Sequence, residues 1–267
     1  MNPGGIPIFM YHSIAPLPNE ATHELSVSPA AFAEQMEVLR SLGCTPLTTA
    51  QLAWHWRHPD RPLPTRPVLI TFDDGYEGVH QYALPVLTKH EFASTLFLAT
   101  GWLRGKYDTG GGLDTMLGWD QVRELAESGT EIGGHSHTHP QLDQLSDDAL
   151  WFEVVRCKEI VTNELGTPPE SFAYPYGYSS RRVRRAVRGA GFRQSLAVGN
   201  GLACRRQGPY ALRRVTVRRS TEPEEFERLA EGRGLGRAFA RDRVLTKGYA
   251  MVRRCRQARR KAARTRV

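Results

Sequence analysis

From residue 6 to residue 232, short apolar runs alternate with longer amphipathic segments, and this alternation constrains the fold more than any other feature. Short apolar runs bounded by turn formers read as buried strands, and apolar residues at helical spacing read as helices packed against them. Strands are expected over 6–12, 68–72, 93–99, 130–135, 170–177, 192–199 and 210–217. Helices are expected over 28–43, 48–58, 78–90, 118–129, 146–166, 179–191 and 221–232, several with a serine cap or a glycine stop. With no internal repeat, the alternation implies α/β architecture: parallel strands joined by helical crossovers, as an open sheet or a barrel. A barrel is favoured because polar residues fall just after the strands, where barrels place their chemistry. The proline-rich stretch 58–67 is a connector, and the glycine-rich stretch 100–117 reads as a surface loop on the rim of a site.

The charge is uneven. Of the net +8, residues 237–267 carry +11, from 12 Lys or Arg against the single acid Asp242, so residues 1–236 sum to −3. The chain therefore divides into a domain over 1–236 and a basic tail over 237–267. The tail reads either as an amphipathic helix on an anionic membrane surface or as a solubilising segment. Nucleic acid ranks behind both, since no recognition motif accompanies the charge. Cys44, Cys157, Cys204 and Cys255 form no paired motif and read as free thiols, with Cys157 a packing residue. The first residues, "MNPGGIPIFMYHSI", lack the pattern of a signal peptide, which makes cytoplasmic residence the expectation, peripheral on the inner membrane face if the tail binds lipid.

Two stretches carry chemistry. "VLITFDDGY" (68–76) ends a strand on adjacent acids, Asp73 and Asp74, whose repulsion in a buried setting calls for a compensating cation. "GGHSHTHP" (133–140) holds His135, His137 and His139, and Pro140 disfavours a helix at His139. Two imidazoles and a carboxylate at strand ends make a metal site with an open position for water.

With "FAYPYG" (172–177) following in order, the chain resembles the polysaccharide deacetylases of carbohydrate esterase family 4 over residues 6–232. The resemblance implies a distorted (β/α) barrel and metal-dependent removal of an N-acetyl group from an N-acetylated sugar or glycan. It makes Asp73 the general base and Asp74, His135 and His139 the ligands of a divalent metal, zinc first, with cobalt, nickel or manganese as alternatives. Tyr174, Pro175 and Tyr176 would wall the substrate groove, with a backbone N–H near Tyr176 in an oxyanion site. No histidine follows His139, where many relatives place the general acid. "IPIFMYHSI" resembles instead a circularly permuted branch, which assigns the acid to His12. Ala173 stands where many relatives have an arginine that orients the base; "ALRRVTV" offers Arg214 as the substitute, with Arg213 open. His137 lies outside the motif, and Trp119 reads as groove lining or as core. Rival readings are a deformylase or O-deacetylase, and a carbohydrate-binding protein without turnover.

Overall fold

The computed structural model describes residues 5–240. Its strands are β1 (Ile8–Tyr11), β2 (Thr45–Pro46), β3 (Pro67–Phe72), β4 (Thr95–Leu98), β5 (Glu131–Gly134), β6 (Ser171–Ala173), β7 (Gln194–Leu196) and β8 (Val215–Thr216). They alternate with helices α1 (Pro29–Ser41), α2 (Thr49–Arg57), α3 (Leu84–His90), α4 (Trp119–Glu127), α5 (Asp147–Leu165), α6 (Arg181–Gly189), α7 (Pro223–Ala230) and α8 (Leu235–Ala238). The sheet runs β7-β6-β5-β4-β3-β1-β8, with β2 paired to the start of β3, and the strand pairs are parallel. It curls until β7 meets the segment just before β8, where Leu196 and Leu212 form one parallel bridge. The expected (β/α) barrel is therefore present, its seam closed by this one bridge and its backbone hydrogen bonds, Ala197 N–H to the Leu212 carbonyl at 2.8 Å and Leu212 N–H to the Ser195 carbonyl at 3.1 Å.

Side-chain alternation along the strands sorts residues into an inner and an outer set. Phe9, Tyr11, Ile70, Phe72, Leu96 and Leu98 face outward and pack with α1, α3, α4 and α7 residues in the main core. Ile8, Leu69, Phe97, Ala173, Leu196 and Leu212 fill the barrel interior. Below this apolar plug lies a polar layer: Glu131 accepts from Ser171 Oγ at 2.6 Å and from the Ala50 N–H at 2.7 Å. Above it, the inner parity of β1 and β3 continues to His12 and Asp73. The chemistry therefore sits at the C-terminal mouth because the inner registers of β1, β3 and β5 end on His12, Asp73 and His135.

Local sequence explains the departures from expectation. The helix expected over 78–90 is continuous but widened at its start: residues 79–83 take a π-type turn and run directly into α3 at Leu84. Pro85 lacks an N–H and its ring would clash with the carbonyl four residues back, which the wider turn relieves. The strand expected over 210–217 narrows to β8 plus the Leu212 bridge. The loop 100–117 is more than rim: Trp102, Leu103, Met116 and Leu117 are buried, and Tyr76 bridges Met116. Trp119 belongs to the core, not to the groove, and Cys157 is buried with its Sγ 3.6 Å from the Leu98 carbonyl oxygen. Packing continues past 236, since Phe239 is buried in the main core. The basic tail from 241 onward lies outside the described residues. Among the described residues no helix is long and apolar enough to cross a membrane.

Candidate active site

Neighbouring residues of a strand point to opposite faces, yet both Asp73 and Asp74 line one cavity. The chain achieves this by leaving the strand at Asp74, which adopts φ 75°, followed by Gly75 at φ 100°. Aspartate tolerates the left-handed region better than most residues, and the Gly75 N–H donates back to the Asp73 carbonyl at 3.0 Å. The tight turn swings Asp74 to the inner side beside Asp73.

The two acids then meet different partners. Arg214, fully buried, clamps Asp73 through two parallel bonds, Nη1 to Oδ1 at 2.6 Å and Nη2 to Oδ2 at 2.7 Å. Asp74 Oδ1 lies 3.4 Å from His135 Nε2 and 3.3 Å from His139 Nε2, and the three ligand atoms fall within 4.8 Å of one another. Burial alone would raise both carboxyls. Arg214 and His135 hold Asp73 below the usual carboxylate range, and His135 and His139 hold Asp74 well below it. Burial pushes His139 down to about 4, against the pull of Asp74, which favours the neutral imidazole that a metal ligand requires.

The donor set fits a divalent cation. Asp74 Oδ1 is buried without a hydrogen bond that satisfies it, and one carboxylate oxygen with two imidazole nitrogens is a common ligand set for zinc and its neighbours. His135 Nδ1 lies 2.7 Å from the Ala173 carbonyl oxygen, so Nδ1–H donates there and Nε2, on the Asp74 side, is the nitrogen left for a cation. The loop between the histidines is forced into shape, with Ser136 at φ 69° and His139 at φ 57°. Ser136 Oγ accepts from the His139 N–H at 3.0 Å. His137 turns away to Thr100 Oγ1, 3.0 Å from its Nδ1.

One residue of this loop's support was absent from the sequence reading. Glu153 on α5 is buried, and its Oε2 accepts from the His137 and Thr138 N–H groups at 2.9 and 2.8 Å. Its Oε1 accepts from Thr138 Oγ1 at 2.5 Å. The available signal was an acid on the apolar stripe of α5, between Leu150 and Cys157. Glu153→Ala is expected to weaken metal affinity about 10–100-fold, as loss of groups that orient ligands does, and Glu153→Gln to restore most of it. Competition titration with a zinc chelator measures this, and parental affinity in Glu153→Ala would dismiss the clamp.

The cavity over the triad has a volume of about 620 Å³, within the range of small-ligand sites. Trp102 and Tyr176 flank the His139 ring at centroid distances of 4.6 and 4.8 Å, and Tyr178 stacks on Tyr176 at 5.8 Å. Of the expected wall, Tyr174 and Tyr176 line the cavity, and Tyr176 is the exposed one, at 53% with φ 59°. Tyr174 is buried, its hydroxyl engaged with Ser195 Oγ and the Tyr210 carbonyl, and Pro175 is buried outside the cavity lining. His12 lines the cavity, and burial lowers its pKa against the pull of Asp74 and Asp73.

The polysaccharide deacetylase family model matches residues 60–195, half of the chain, and YxkH of Bacillus subtilis, which bears the same family's name, is 30% identical over 215 residues. The chain belongs to the polysaccharide deacetylase family. The match to YxkH covers 80% of this chain and 72% of that protein. The poly-beta-1,6-N-acetyl-D-glucosamine N-deacetylase of Escherichia coli K12 is 23% identical over 218 residues, covering 67% of this chain and 32% of the enzyme. The chain thus spans about a third of that enzyme. Among solved structures, deacetylase PplD of Streptococcus pyogenes superposes with a TM-score of 0.77 at 23% identity, covering 87% of this chain and all of that one. IcaB from Ammonifex degensii gives 0.69 at 24% identity, covering 85% and 96%. Both show the deacetylase barrel fold. Membership makes the chain a metal-dependent hydrolytic deacetylase, and the Asp74, His135 and His139 cluster is where its metal fits.

Proposed function

We propose that the protein removes N-acetyl groups from an N-acetylated glycan, a polymer or oligomer of N-acetylglucosamine being the first candidate. One observation carries the reading: a carboxylate held ionised by Arg214 stands next to a second carboxylate that faces two histidines, in one cavity. The relatives named as poly-beta-1,6-N-acetyl-D-glucosamine N-deacetylases support the choice of sugar.

In this reading Asp74, His135 and His139 hold the divalent cation, zinc before cobalt, nickel or manganese, which supplies Lewis acidity toward the amide carbonyl and the attacking water. Asp73, its oxygens fixed by Arg214, takes the proton from that water. His12, on the inner side of β1, gives a proton to the departing amine nitrogen. The Gly177 and Tyr178 N–H groups donate to the Tyr174 and Pro175 carbonyls, and the Tyr176 N–H is the donor assigned to the oxyanion. Tyr176, exposed on the rim, offers aromatic surface to the sugar. Metal-loaded protein is expected to release acetate from N-acetylglucosamine oligomers and a chelated control to release none. No release from protein carrying one metal per chain would reject this substrate class.

A further inference from the structure

The −3 of residues 1–236 conceals a segregation of charge. Residues 1–170 sum to −12, residues 171–221 to +12 and residues 222–236 to −3. Between Glu170 and Glu222 the chain has twelve arginines and no acid. Helix α6 concentrates them. Val183 and Val187 bury one face, while Arg181, Arg185 and Arg188 are exposed at i, i+4 and i+7, a single outer stripe. Their neighbours are paired: Arg182 meets Asp147 at 2.6 Å and Arg193 meets Glu170 at 3.2 Å. None of the three stripe residues pairs with an acid among the described residues. Arg181 and Arg185 are like charges at i, i+4 with Arg181 in the first turn, and both features oppose the helix, whereas Arg188 in the last turn suits its dipole. The Arg181–Arg185 pair is thus a local cost that an external anion would offset.

A second observation lies beside it. Trp151 and Phe152, in the first turns of α5, are 47% and 54% exposed. A Cβ placed on Gly189 would lie 3.3 Å from the Trp151 ring, and Gly189 stands four residues after Arg185. The indole therefore continues the arginine stripe. Phe152 extends the face toward the site, its ring centroid 6.0 Å from that of His137.

We propose that the α6 arginine stripe, with Trp151 and Phe152, docks the protein on an anionic lipid surface beside the mouth of the site. Arginines meet the headgroup charge, and the aromatic side chains enter the interface, where tryptophan is favoured. A soluble polyanion would satisfy the charge and leave both aromatic side chains in water. Single-stranded nucleic acid is bound in basic grooves, whereas α6 presents a convex helical face.

The test sediments the full chain with phosphatidylcholine vesicles, with and without phosphatidylglycerol, at low salt. Binding is expected only with the anionic lipid. Arg181→Gln, Arg185→Gln and Arg188→Gln combined should lower partitioning roughly fivefold per residue, about a hundredfold together. The corresponding triple lysine variant keeps the charge and should bind as the parent does, which separates loss of charge from loss of fold. Trp151→Ala should weaken vesicle binding several-fold and leave binding to soluble polyphosphate unchanged. Parental vesicle binding by the glutamine variant would overturn the proposal and move the interaction to another basic segment, such as 237–267. Arginine-dependent binding to polyphosphate with none to vesicles would overturn it in favour of a soluble polyanion.

Discussion

Asp73→Asn is expected to lower turnover by about 10²–10⁴-fold, the range for loss of a positioned general base, while the protein still takes up one divalent ion per chain. Geometry separates the two acids into these roles. His135 Nε2 lies 3.8 Å from the nearer Asp73 oxygen and 3.4 Å from Asp74 Oδ1. Both Asp73 oxygens are already held by Arg214, whereas Asp74 Oδ1 has no satisfying partner. Asparagine keeps the shape and one acceptor for Arg214 but cannot take a proton. Metal content by elemental analysis, beside the rate of acetate release, separates the outcomes. Loss of metal would make Asp73 a ligand, and parental turnover would remove it from the proton pathway.

Much of this site was legible in the chain because its motifs are short and sit at strand ends. The acid pair, His135 and His139 line one cavity in the structure. What remained hidden depends on register. Arg213 and Arg214 are adjacent, and sequence alternation alone left both open. The pairing of Val215 with Phe9, an outward residue, settles the parity and sends Arg214 into the barrel. Tyr174 and Tyr176 read as one aromatic wall; the positive φ at Tyr176 turns the chain, so that Tyr174 meets the cavity from the core and Tyr176 from the exposed rim. Glu153 is invisible to motif reading because its function is to hold backbone, which no local spacing specifies. The arginine face vanished into a sum over 236 residues, since opposite charges far apart in sequence cancel on paper and not in space.

Arg214→Met is expected to cost about 3–5 kcal/mol of stability, the range for removing one partner of a buried ion pair. For a domain of this size that lowers Tm by roughly 6–20 °C. The guanidinium is fully buried, donates Nε to the Ala197 carbonyl at 3.3 Å, and lies 5.7 Å from the centre of the Phe97 ring. Methionine fills much of the volume yet leaves Asp73, 2% exposed, without the guanidinium that neutralises it. The penalty is therefore that of an orphaned charge more than of a cavity. Asp73→Asn in the same chain removes that charge, so the double variant should recover most of the lost Tm and none of the activity. Arg214→Lys should fall between, because an ammonium cannot reproduce two parallel bonds to one carboxylate. Thermal unfolding of the four proteins forms a double-mutant cycle. Additive losses would mean that Arg214 and Asp73 stabilise the barrel independently, and the electrostatic clamp on the base would have to be abandoned.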